Sequence, residues 1–158
     1  MTLYTGGDKY KRIKYLPNTG HNMKDSDYLD TLQTYYYAHV YNIELPVYTF
    51  KHKERSDGID LELVILNDMK PTRVKLWQAT APNRDFRIST TGKIWTSSEV
   101  EAVSDGVFKV AMNNPRAGFT AFMMEMEFKL VNREDLPLIR FTTSTYITPT
   151  TLPCKYHP

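Results

Sequence analysis

A hydrophobic period of two sets in after residue 46 and persists to about residue 148. It predicts a mainly β chain, with an antiparallel β-sandwich of immunoglobulin-like type as the fold class. Two further observations support this. About seven short apolar-alternating runs are separated by turn residues, and no helical pattern lies between them. A closed barrel is the alternative. Residues 1–45 follow a different pattern, a strand-like run, a polar loop and a helix. The expected organisation is therefore 1–45 strand-loop-helix unit, 46–150 sandwich and 151–158 surface tail.

The first run, Tyr10-Lys11-Arg12-Ile13-Lys14-Tyr15, reads as a strand and leads into Leu16-Pro17-Asn18-Thr19-Gly20-His21. Residues 26–42 read as a helix. Ser26 or Asp25 can cap it, and Asp27 and Asp30 suit its positive end. Tyr28, Leu32, Tyr35 or Tyr36, Val40 and Ile43 recur at helical spacing as one apolar stripe. The run Tyr35-Tyr36-Tyr37 is read as helix-face packing rather than a ligand platform. Glu44-Leu45-Pro46 ends the helix.

Residues 47–54 and 59–66 flank Arg55-Ser56-Asp57-Gly58, a hairpin signal in which Gly58 is expected to supply a positive φ. Ile59, Leu61, Leu63 and Ile65 share one face. Residues 73–79 form the next strand, with Val74 and Leu76 on one face and Trp77 on the other. Trp77 also resembles the core tryptophan of immunoglobulin-like strands. A short strand is expected around Ile94-Trp95, followed by 107–112, 119–130 and one last strand at 138–148. In 119–130, Phe122, Met124, Met126, Phe128 and Leu130 face one way, while Glu125 and Glu127 project from the other. Methionines so spaced are core filler rather than ligands.

Composition narrows the function classes. A chain of 158 residues suits one domain, or a small domain with an appendage. Net charge is +2 with Lys and Arg dispersed among Asp and Glu, which argues against a nucleic-acid partner and against an anionic membrane surface. No apolar run suits a membrane span. The one cysteine, Cys154, excludes an internal disulfide. Met1 to Asp8 contains no apolar signal core, so the chain as it stands is not expected to be exported; in a fragment, the missing front would have held the signal.

A strand, a polar loop ending in histidine and then a helix is how an α/β-hydrolase delivers its base, in the chain order nucleophile, acid, histidine. Here His21 comes almost first. A nucleophile elbow needs glycines four apart, and none of the glycines at 6, 7, 20, 58, 92, 106 and 118 has that spacing. Residues 1–45 are therefore read as an incomplete remnant of a hydrolase-like domain. His21 is expected to be catalytic only in a complete parent; the plainer reading is a surface or capping histidine. His21, His39, His52 and His157 are too scattered for a metal site, and no cofactor motif is present.

The segment Leu76-Trp77-Gln78-Ala79-Thr80-Ala81-Pro82-Asn83-Arg84-Asp85-Phe86-Arg87 is the densest unusual stretch. Trp77 with Arg84, Asp85, Phe86 and Arg87 is a candidate binding or structural clamp. Either the clamp meets a ligand, or a corner salt bridge locks the loop. Trp95, Phe86 and Tyr48 would serve a carbohydrate-binding face only as exposed, coplanar rings.

Residues 9–21 and 76–87, with Gly118-Phe119-Thr120-Ala121-Phe122 and residues 141–149, resemble the C-terminal part of the PhoPQ-activated pathogenicity-related family. That family includes secreted autocrine repressors of proliferation. Ser144 departs from the acidic residue common in its motif. The resemblance implies an α/β-hydrolase-like domain followed by a β-sandwich, with His21 at the histidine position, and an extracellular location. The leading expectation is a non-catalytic binding or signalling module with a protein receptor, or the missing hydrolase-like portion, as partner. The rival is a fragment of a secreted serine hydrolase, peptidase- or esterase-like, with His21 as general base. Apolar side chains orphaned in the first segment (Ile13, Tyr15, Leu29, Leu32) are expected to promote self-association.

Overall fold

The computed structural model describes residues 12–24, 26–130, 132–133 and 135–151. Residues 10–11 of the first predicted strand, the Asp25 cap, Cys154, His157 and nearly all of the tail lie outside the described residues. The elements are α1 (Tyr28–Val40), β1 (Tyr48–Arg55), β2 (Gly58–Ile65), β3 (Arg73–Ala81), α2 (Ile88–Thr91), β4 (Thr96–Glu99), β5 (Ala102–Ser104), β6 (Val107–Asn113), β7 (Phe119–Phe128), β8 (Ile139–Thr142) and β9 (Tyr146–Thr148). They build two antiparallel sheets, ordered β1-β2-β6-β5 and β4-β3-β7-β8, with β9 also paired to β7.

Alternation puts one face of each sheet into a shared core. Leu61, Leu63 and Phe108 come from the first sheet; Val74, Phe122, Met124, Met126, Phe128 and Phe141 come from the second. Each fully buried side chain of this kind contributes roughly 1.5–3 kcal/mol. The methionines at 124 and 126 are core filler, as expected. Trp77 is not in this core. It is half-buried on the opposite face of β3, across from Met123, while Leu76 packs inward.

The predicted hairpin forms with Arg55 opposite Gly58 and a two-residue turn at Ser56-Asp57. Gly58 does not have the expected positive φ. It is needed for space: a Cβ there would lie 2.1 Å from the Met112 carbonyl oxygen. β5 and the single turn of α2 were not foreseen. β4 and β5 are short and exposed, and between them the chain passes from one sheet to the other, with Val100 N donating to Val74 O at 2.9 Å.

The predicted last strand is broken. Between the pairs Phe122↔Tyr146 and Glu125↔Thr142, β7 advances three residues and its partner four, so β8 and β9 are separated by a bulge. Thr143 fills it, its N–H donating to Met124 O and its Oγ1 accepting from Met124 N.

α1 is shorter than predicted and turned differently. Its buried residues are Thr31, Thr34 and Ala38, with Tyr35 and Tyr37 packing on the core. Leu29, Leu32, Tyr36 and Val40 are exposed. Thr34 Oγ1 donates to Pro137 O at 3.1 Å, and the Tyr35 ring meets Phe141 edge-on. Residues 12–15 are extended but are not a strand. They run past β8, where Thr142 N donates to Ile13 O at 2.8 Å and Tyr15 N to Thr142 Oγ1 at 3.1 Å. Ile13 is consequently half-buried, and only Tyr15, Leu29 and Leu32 of the expected patch are exposed. Among the described residues no helix is long and apolar enough to cross a membrane.

Candidate functional site

The His21 loop is built from a proline and a left-handed asparagine. Pro17 presets its own φ, and Asn18 adopts φ 55°, which asparagine tolerates better than most residues. The reversal brings the Asn18 side-chain amide onto the backbone of Trp95. Asn18 Nδ2 donates to Trp95 O at 2.8 Å, and Trp95 N donates to Asn18 Oδ1 at 3.0 Å. Met23 N closes the following turn on Gly20 O at 3.0 Å. His21 sits at the tip of this turn, exposed. Among the described residues no carboxylate, hydroxyl or other side chain bonds its ring.

The 84–95 loop packs beside it: a Cβ built on Gly20 would lie 3.8 Å from Ile88 Cγ2. Within that loop Arg87 grips Asp85 bidentately, Nε at 2.8 Å and Nη2 at 2.7 Å, and Thr90 Oγ1 adds a third bond at 2.9 Å. Bonds from the Arg87 side chain, then its backbone N–H, then Thr90 hold the Asp85 carboxyl well below the usual carboxylate range. Arg84 points elsewhere, over the Phe119 ring and toward Thr151 O at 3.4 Å. Phe86 lies 6.2 Å from Trp95 with the rings tilted by 56°. The predicted clamp is thus an Asp85–Arg87 pair, with Arg84 and Trp77 apart from it. Tyr48 is buried and Phe86 and Trp95 are half-buried and not coplanar, so the carbohydrate-face reading ends here.

A second constellation was missed from the sequence. Glu125 and Glu127, expected to project outward, are 3% and 1% exposed. The N-terminal segment and long cationic side chains cover them. Lys14 Nζ bridges Glu125 (2.5 Å) and Asp27 (3.1 Å); Arg140 bridges Asp27 (3.1 Å) and Glu127 (3.1 Å). Arg73 and Lys75 also bind Glu127, at 3.0 and 2.7 Å. The Trp77 indole N–H donates to Glu125 Oε1 at 3.3 Å. Burial alone would raise the Glu127 carboxyl, but hydrogen bonds from Lys75 and then Arg140 outweigh it and bring its pKa to about 2. The pattern Arg73-x-Lys75 opposite Glu125-x-Glu127 was the available signal, because antiparallel pairing sets them on one face.

This network ties the His21 segment to the second sheet: Lys14 and Asp27, on either side of the loop, are both held by charges on that sheet. It joins acids to bases without a nucleophile. Among the described residues no three His, Cys, Asp or Glu side chains converge as metal ligands. On the outer face of the first sheet, Lys51 and Lys109 flank Glu62 at 2.7 and 2.8 Å beneath a shallow cavity of about 970 Å³. Lys109 first, then Lys51, lowers the Glu62 pKa, so both lysines are already engaged.

The chain is 27% identical over 161 residues to autocrine proliferation repressor protein A of Dictyostelium discoideum, an alignment covering 90% of this chain and 33% of the relative. It therefore spans about a third of that protein's length. No solved structure gives a significant match. Residues 4–87, more than half the chain, match the family model of the PhoPQ-activated pathogenicity-related proteins, and they run from the histidine segment through β3 to the Asp85–Arg87 pair. The chain belongs to the PhoPQ-activated pathogenicity-related protein family.

Proposed function

We propose that this chain is a non-catalytic binding or signalling module, the C-terminal portion of a PhoPQ-activated pathogenicity-related protein, acting outside the cell on a protein receptor. Repression of proliferation, the activity in its relative's name, is the effect we assign to it. The observation that carries this reading is the state of His21. It is exposed at a loop tip and, among the described residues, has neither an acid to fix its tautomer nor a nucleophile to activate, both of which a serine hydrolase requires.

In this reading residues 1–45 are the histidine-bearing remnant of a hydrolase-like domain, residues 46–150 are the sandwich and residues 151–158 are a tail. The sheet orders β1-β2-β6-β5 and β4-β3-β7-β8 correspond to strands A-B-E-D and C′-C-F-G of an immunoglobulin-like sandwich. We assign binding to the face formed by the His21 loop and the 84–95 loop, which carries Asp85, Phe86 and Arg87; Trp77 and Arg84 lie apart from it.

The purified chain, added to growing Dictyostelium cells, is expected to slow proliferation while releasing no product from ester and dipeptide-amide substrates. Turnover that His21→Ala abolishes would overturn the non-catalytic reading. Proliferation unaffected at any dose would remove the signalling role.

One observation favours a second reading, a fragment of a secreted serine hydrolase with His21 as general base. The order extended segment, loop histidine, helix is preserved in space, and the His21 ring is open to a partner from elsewhere. A reading frame continuous with Met1 and encoding Gly-x-Ser-x-Gly upstream would favour it.

A further inference from the structure

We propose that residues 13–24 form a strap that opens from the second sheet as one unit while the sandwich stays folded, with Lys14 as its latch. Its two ends are anchored, by Arg12, which donates to Pro46 O at 3.1 Å, and by α1, which packs on the core. Between these anchors no residue is fully buried, so the strap adds no side chain to the core. A segment with so few buried apolar contacts opens at a lower free energy than the strands beneath it. What closes the strap is polar. Thr142 N donates to Ile13 O at 2.8 Å, Tyr15 N donates to Thr142 Oγ1 at 3.1 Å, and Asn18 makes its two bonds to the Trp95 backbone. Lys14 Nζ lies 2.5 Å from Glu125 and 3.1 Å from Asp27. Among the described residues it alone joins the strap to a charge on the sheet.

Two features oppose closure. Asn18 and Met23 hold φ at 55° and 53°, and among the described residues Met23 is the only left-handed residue that is neither glycine nor asparagine. Such a backbone persists only where its surroundings hold it there, and opening relaxes both positions. The closed strap also keeps Glu125 buried, so opening returns its carboxylate and the Lys14 ammonium to water and recovers their desolvation. The sheet itself loses little. Arg73, Lys75 and Arg140 stay on Glu127 when the strap lifts, and Lys75 at 3.9 Å and the Trp77 indole stay beside Glu125. Only the closed strap sets the His21 loop against the 84–95 loop, so opening dismantles the binding face and regulates it. That regulation rests on the function proposed above; the opening itself does not.

Native-state hydrogen exchange on the whole chain tests the opening. The Tyr15 and Thr142 amides are its reporters, because each is bonded across the seam between strap and sheet. In the wild type they are expected to share one opening free energy, below that of the β7 amides. Lys14→Glu sets a carboxylate against Glu125 and Asp27; it is expected to abolish protection at both reporters while the β7 amides stay protected. The same variant is expected to lose the growth-slowing effect, and Lys14→Arg to keep both protection and effect. Wild-type reporters that exchange only together with the β7 amides would overturn the strap, and this reading does not depend on any variant folding. Reporters that stay protected in Lys14→Glu would overturn the latch. Protection lost with the growth effect intact would overturn the regulation. A wild type without any growth effect would count against the function proposed above, while the exchange result would still decide the strap.

Discussion

Gly58 and Glu127 show how far a residue's role depends on what lies across from it. Gly58 is a turn residue by its sequence context, yet the space it leaves belongs to the Met112 carbonyl on β6, which pairs with the same strand from the other side. Gly58→Ala is expected to destabilise the fold by about 1–3 kcal/mol through overpacking against backbone, read as a lower denaturation midpoint. An unchanged midpoint would mean that β2 and β6 separate easily here. Glu125 and Glu127 alternate with apolar residues as if on a solvent face. Alternation was legible; burial was not, because the side chains that cover them come from residues 14, 73, 75 and 140. The same holds for Trp77, whose neighbours in sequence resemble a core strand but whose ring lies on the outer face, bonding Glu125.

At the scale of elements, α1 was legible as a helix and misread in its orientation. Period alone identifies an apolar face; it does not say whether that face meets the sheets or the solvent. Ser26 or Asp25 was the expected cap; Asp25 lies outside the described residues, the Ser26 hydroxyl donates to Met23 O, and the N-cap residue is Asp27 with no side-chain cap bond. The Asp27 carboxylate is instead drawn to Lys14 and Arg140. The His21 loop is held by a comparable long-range contact, the two-bond pairing of Asn18 with the Trp95 backbone. Asn18→Ala is expected to accelerate backbone hydrogen exchange in residues 18–24 while leaving the β7 amides protected. Unchanged exchange there would show that the ion network alone holds the loop. Trp95 lies 77 residues away in sequence, so nothing near Asn18 announced this partner. The bulge at Thr143 was hidden for a related reason: a β-branched run reads as one strand, and only the register against β7 reveals the extra residue.

For the whole molecule, the ion network links the histidine segment to the second sheet and makes stability depend on acid. The Glu127 carboxyl has a pKa of about 2 when folded against an ordinary value of 4.5, so its linked stabilisation is fully present above about pH 4.5 and is lost as pH falls toward 2. Urea unfolding at neutral and acid pH should show this decline. Glu127→Gln should flatten the acid limb and, by leaving Lys75 and Arg140 without their shared carboxylate, lower stability near pH 7 by about 3–5 kcal/mol. An acid limb that persists in the variant would assign it to other carboxylates. The sequence by itself determined the β-rich class, the helix before it, the strand runs of the central core and the family, because each of these rests on local period, local turn chemistry or a collinear residue pattern. Tertiary structure alone decided the two-sheet order, the outward stripe on α1, the buried carboxylates and the pinning of the His21 loop. Each of those depends on which distant segments come to lie against one another, and burial and ion pairing are properties of that juxtaposition rather than of any stretch of chain.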